Sequence, residues 1–272
     1  MSLVCDTRLS ATIARLLLGD QLYRLRAARR LTLQMVASAT YLSVSKLSRI
    51  ECGRHRAAPA DIQRLIEHYE ASGCLRGQVL EWVARAQGRS FYHSFSDVTD
   101  AAYRDYLDVE PVGLRAVYAP TVIPAVLRTS RYAHALLAPV ATAERERRLW
   151  LLALRQQRFA QRGDVSVRVL LGQSALTNGV GGDEVMREQA AQLCGSEGPG
   201  TEIRVLPSSW AAEAASAGAF SLAVLGDGAL TMTATESGGV SPRLVPGRDG
   251  QSAARFDALW RAAAGRSAEL VA

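Results

Sequence analysis

The sequence predicts an α+β protein: an all-α N-terminal part, then a mixed α/β part with a β-α-β-β core. Three observations predict it. Apolar residues recur at helical spacing as far as Tyr69. Strand-like alternation begins only after about residue 109. The basic excess lies within the helical part. Between residues 15 and 56 there are nine Arg or Lys and two acids, Asp20 and Glu51, a balance of +7 against +6 for the whole chain.

Each N-terminal element has a local reason. Leu18, Leu22 and Leu25 follow one face of a first helix, with Arg24, Arg26, Arg29 and Arg30 around and after it. Thr32 caps a second helix over residues 33–40, whose inward face is Val36 and small Ala37. Ser43 caps a third, SVSKLSRIECGR, with Leu47 and Ile50 inward and Gly53 at its end. Pro59 opens a fourth helix, which carries Ile62, Leu65, Ile66 and Tyr69. The third helix has a buried spine and a small, polar, basic N-terminal face. The DNA major groove admits such a helix.

Residues 18–70 resemble the helix-turn-helix DNA-binding domain of the Cro and phage-repressor type, the XRE family. The matching residues are Leu31-Thr32, Ala37, Ser43 and Leu47-Ser48-Arg49-Ile50-Glu51 with Gly53. Two positions depart from the family pattern. Tyr41 stands where the turn usually has Gly, which costs on the order of 1 kcal/mol if φ stays positive. Gln34 stands one place after the usual Gln, with Leu33 between it and Thr32. The resemblance implies a double-stranded DNA operator as partner. Ser43 would touch phosphate, and Gln34 occupies the phosphate-clamping region. Val44, Ser45 and Lys46 would face base edges, and Ser48 is a further DNA-binding candidate on the same outer surface. Arg49, Arg54 and Arg56 would bind phosphates. A homodimer is expected, because one short recognition helix reads too few bases.

The domains expected are 15–72 for DNA binding, 73–108 as a helical connector and 109–272 as an α/β regulatory domain. In the connector, Leu75, Val79, Trp82 and Val83 share a helix face. Its aromatics, Phe91, Tyr92, Phe95, Tyr103 and Tyr106, are expected to pack the domain junction. Beyond it, strands are expected at 112–119, 165–171, 201–207, 219–226 and 229–235, the last two joined by a turn at Gly226-Asp227-Gly228. Helices are expected over RYAHALLA, 143–161, the stretch after Gly181-Gly182 and FDALWRAAA.

This second half resembles the C-terminal domain of actinomycete regulators of the WhiJ-like kind, from about residue 91 to 265. The matching stretches are Ile123-Pro124-Ala125-Val126-Leu127-Arg128-Thr129 with Tyr132-Ala133-His134-Ala135-Leu136, and Leu154-Arg155-Gln156-Gln157-Arg158. Two more follow: Gly181-Gly182-Asp183-Glu184-Val185-Met186-Arg187-Glu188-Gln189 and Val205-Leu206-Pro207. Ala125 and Arg128 replace the family's Gly and Gln. The resemblance implies a sensory domain for a small-molecule ligand or a small partner protein. Arg128, Tyr132, Arg155, Gln156 and Arg158 are the candidate ligand contacts.

Enzyme chemistry is not expected. Gly179-Val180-Gly181-Gly182 lacks the Lys-Ser/Thr pair of a phosphate loop, and Asp183 and Glu184 already occupy the positive end of the helix. Gly172-Gln173-Ser174-Ala175-Leu176 lacks the second Gly of a nucleophile elbow. The histidines (His55, His68, His93, His134) and cysteines (Cys5, Cys52, Cys74, Cys194) are scattered, so neither a metal nor a cofactor is expected. The early apolar stretch is broken by Arg15, so neither a signal peptide nor a membrane span is expected, and the compartment expected is the cytoplasm. Function is therefore read as sequence-specific transcriptional regulation. The rival is an antitoxin-like or anti-regulator protein that mainly binds a small partner protein.

Overall fold

The computed structural model describes residues 10–163, 165–198, 200–210, 218–226, 230–237, 240–247 and 250–266. The chain divides into two compact units, Met1–His93 with Leu225–Leu230, and Ser94–Val224 with Thr231–Ala272.

The first unit is helical: α1 Ala11–Ala28, α2 Leu33–Thr40, α3 Val44–Glu51, α4 Pro59–His68 and α5 Gly73–Ala86. Its core joins Leu18 and Leu22 of α1 to Val36, Leu47 and Ile50, and these to Ile62, Leu65, Ile66 and Tyr69. Burying such side chains is worth about 1.5–3 kcal/mol each before entropy is counted. Val79 and Val83 of α5 enter the same core. Of the 73–108 stretch expected as a connector, α5 thus packs in the first unit. The following helix, α6 Ala101–Gly113, falls in the second.

The second unit is an α/β sandwich on a seven-stranded sheet. Its strands are β1 Leu114–Ala119, β2 Val167–Gly172, β3 Thr201–Leu206, β4 Ala219–Leu225, β5 Leu230–Ser237, β6 Val240–Pro246 and β7 Ala264–Arg266. Their order is β6-β5-β4-β1-β2-β3-β7. The centre is parallel: Val117 pairs with Val169, and Val169 with Ile203. The helices α7 Ser130–Leu136 and α8 Thr142–Ala160 lie between β1 and β2 in the chain. Between β2 and β3 come α9 Ser174–Thr177 and α10 Asp183–Ser196, and α11 Gln251–Ala262 follows β6.

One face of the sheet buries Val117, Val169, Leu171 and Ile203 against Phe159 of α8 and Val185 and Leu193 of α10. The other buries Tyr118, Leu170 and Phe220 against Phe256, Leu259 and Trp260 of α11. Burial on both faces explains the nearly continuous apolar runs of β1 and β2.

The mixed α/β expectation is met, with more strands than the sequence reading supplied. β6 and β7 were not expected. The turn expected at Gly226-Asp227-Gly228 falls largely outside the described residues.

Candidate nucleic-acid interface

The α2–turn–α3 unit is built from local bonds. Thr32 Oγ1 accepts from Met35 N at 3.2 Å, and Ser43 Oγ accepts from Lys46 N at 3.1 Å. Each hydroxyl satisfies an otherwise free N–H of a first turn. Between the helices, Tyr41 adopts φ 57° and ψ 31°, and Leu42 N donates to Ala37 O at 3.1 Å. The turn therefore keeps the left-handed geometry without glycine. The Tyr41 side chain is 89% exposed, so its cost lies in its own backbone, not in a clash with the core.

Two glycines let α1 cross α3 closely. A Cβ on Gly19 would lie 2.5 Å from Ile50 O. Gly53, at φ 65°, ends α3, and a Cβ there would lie 2.8 Å from Leu16 Cδ2.

Four of the nine basic residues between 15 and 56 are committed within the fold. Arg15 Nε donates to Gly53 O at 2.5 Å. Arg24 pairs with Asp20 at 2.7 Å. Arg26 forms a two-pronged pair with buried Glu51, and its Nη1 donates to Leu31 O at 2.9 Å. The hydrogen bond to Glu51 raises the Arg26 pKa above its ordinary value, against the opposing effect of burial. Lys46 Nζ lies 2.5 Å from Asp61 Oδ2. The balance of +7 already sets Asp20 and Glu51 against Arg24 and Arg26, so Arg15 and Lys46 are the cations in that count that the fold turns inward. The other five of the nine, Arg29, Arg30, Arg49, Arg54 and Arg56, are exposed.

Most of the residues expected at DNA are on the surface. Gln34, Ser43, Val44, Ser45, Arg49, Arg54 and Arg56 are exposed, and Ser48 is partly so. Ser43 caps α3, Val44 and Ser45 stand in its first turn and Arg49 in its last, and Arg54 and Arg56 follow in the next loop. Lys46 is the exception: it is half-buried and turned onto Asp61 of α4. Asp61 is not among the residues the sequence marks for DNA contact. Its visible signal is an acid in the first turn of a helix, a place the helix dipole favours in any case.

Four of the five candidate ligand contacts of the second unit are engaged in bonds within the fold. Arg155 is buried. Its Nε and Nη2 meet Glu110 at 3.0 and 2.7 Å, and its Nη1 donates to Tyr103 Oη at 2.6 Å. Burial opposes its charge, but Glu110 outweighs burial and raises its pKa well above the ordinary value. Tyr132 is fully buried, and its hydroxyl accepts from Ile123 N at 3.3 Å. Arg128 Nε donates to Ile123 O at 2.7 Å. Gln156 Nε2 donates to Arg128 O at 2.7 Å and Ala125 O at 3.2 Å. Arg158, on the same helix, is partly exposed.

A residue not considered as a contact, Gln189, braces the same loop. Its Oε1 accepts from Thr129 N and its Nε2 donates to Leu127 O, both at 2.8 Å. The 123–136 stretch is thus a chain segment whose free backbone groups are met by two glutamines. Buried backbone groups need such partners, which is a structural reason for glutamine at both positions.

An open groove of about 640 Å³ lies elsewhere on this unit. It is lined by Leu176, Thr177, Asp183, Met186, Arg187, Gln189, Ala190 and Ala191. None of the five candidate contacts lines it.

A capped α2–turn–α3 pair with an exposed polar face defines a helix-turn-helix DNA-binding domain of the XRE-like kind, and residues 17–79 match the model of a helix-turn-helix domain. The protein is, in general terms, a DNA-binding regulator. Residues 103–269, more than half of the chain, match a domain of unknown function (DUF5753), and the chain belongs to that family. No curated protein and no solved structure matches it. Among the described residues, no helix is long and apolar enough to cross a membrane.

Proposed function

We propose that this protein is a sequence-specific transcriptional regulator of the WhiJ-like kind found in actinomycetes, acting on chromosomal DNA in the cytoplasm. One observation carries the reading. α3 and its cap present Ser43, Val44, Ser45 and Arg49 to solvent on a helix whose opposite face is buried. Small polar side chains let the helix approach base edges, while Arg49, Arg54 and Arg56 supply phosphate contacts. Two copies act together, because a single α3 spans too few base pairs for a unique site.

The second unit senses a small molecule or a partner protein and has no catalytic role. The open groove beside α9 and α10 is a better place for such a ligand than the buried Arg155 and Tyr132. The test is recovery and sequencing of chromosomal DNA bound by the full-length protein, with and without cell extract. A small set of enriched sites sharing one motif, whose occupancy changes with extract, is expected. Uniform recovery of all sequences would contradict sequence-specific regulation.

A further inference from the structure

The Lys46–Asp61 pair sits where DNA reading is proposed, and it changes what Lys46 can do. Asp61 is buried in the first turn of α4. Its Oδ2 lies 2.5 Å from Lys46 Nζ, and its Oδ1 is paired with Arg64 Nη2. Arg64 is itself anchored, with Nη1 donating to Thr40 O, the last residue of α2, at 3.2 Å. Arg64 thus holds the carboxylate by the oxygen that Lys46 does not meet, and ties it to the end of α2. Lys46 keeps a third of its side-chain surface exposed. An ammonium has three donor hydrogens, and the ion pair with Asp61 leaves some of them for another acceptor.

We infer that Asp61 is a positioning residue for base reading: it holds Lys46 as a fixed hydrogen-bond donor on α3, not as a mobile cation. An unpaired lysine on a flexible four-carbon stem moves to the nearest phosphate and releases a counterion there. A lysine paired with a buried carboxylate adds little net charge. It donates to one place, where a guanine edge offers two acceptors. The pair converts a sequence-blind attraction into a directed contact. The inference rests on the DNA-reading role proposed above for α3.

The test uses the full-length protein, selection of bound duplexes from a random pool, and affinity measured at several salt concentrations. Lys46→Ala should flatten the preference at one base pair per half-site by roughly tenfold or more, and should leave the salt slope as in wild type. Asp61→Asn should flatten the same base pair although Lys46 is still present. It should also steepen the log–log salt slope by about 0.9, one released counterion. Adding Lys46→Ala to Asp61→Asn should remove that steepening and flatten no further position.

An Asp61→Asn protein with wild-type preference and slope would overturn the inference, as would a steepening that survives loss of Lys46. Should Asp61→Asn fail to fold, Lys46→Ala still decides. A slope shallower by about one counterion would mean that Lys46 binds phosphate, and Asp61 does not position it. Wild-type protein that enriches no sequence and binds no DNA at low salt would instead sink the DNA-reading role itself.

Discussion

Arg26 on α1 and Glu51 at the end of α3 meet through two parallel hydrogen bonds, Nε to Oε1 and Nη2 to Oε2, each 2.7 Å. Glu51 is 3% exposed, so the pair ties the candidate recognition helix to α1 from inside the unit. Removing one partner leaves a buried charge unmatched, which costs far more than the pair contributes on balance. Glu51→Leu alone is expected to destabilise the protein by about 3 kcal/mol, and Arg26→Met with Glu51→Leu by much less. Thermal and urea unfolding of the two variants checks this. Equal losses in both would mean that packing around Glu51, not its charge partner, holds α3.

Tyr41 carries strain with no compensating contact in the core. Tyr41→Gly is expected to stabilise the protein by about 0.5–1 kcal/mol, after allowing for the extra freedom glycine gains when unfolded. Tyr41→Val should destabilise it, since a β-branched residue tolerates the left-handed region least. Urea midpoints of both variants test the pair of signs. A destabilising Tyr41→Gly would show that the exposed ring stabilises the fold by more than its backbone costs.

Asp61 gives the first unit an acid-sensitive contact. Burial alone would raise its carboxyl pKa, but hydrogen bonds from Lys46 and Arg64 outweigh burial and hold it below the ordinary value. A group depressed on folding stabilises the native state above its unfolded pKa. That stability is lost as pH falls through the folded value. Stability should therefore decline below about pH 4, with Asp61 one contributor. In Asp61→Asn the decline should be shallower, from a lower starting point at neutral pH. Unfolding free energies between neutral pH and the acid limb test this, and parallel curves for wild type and variant would remove Asp61 from the acid response.

These relationships show how far the sequence could be read. The capping residues Thr32 and Ser43 and the opening Pro59 act within their own turns, so one local window reveals them. Buried charge pairs are different. Arg26 and Glu51 are 25 residues apart, and Arg155 and Glu110 are 45 apart. From sequence they look like free surface charges, because a partner so far along the chain leaves no local signal. In α8, Arg155 lies on the buried face with Leu151, Leu152 and Phe159, a face that sequence periodicity assigns to apolar residues. β6 was missed because Pro242, Arg243 and Pro246 break its strand pattern. It is an edge strand of the sheet, where a proline without an N–H is tolerated.

The account stands on one claim: the exposed end of α3 and the loop after it lie against a DNA backbone. The direct measurement is the affinity of the full-length protein for duplex DNA at several salt concentrations, for wild type, Arg49→Ala and Arg54→Ala. The expected result is an affinity that falls with salt, and a log–log slope shallower by about 0.9 in each variant. No binding even at low salt, or an unchanged slope in both variants, would contradict it.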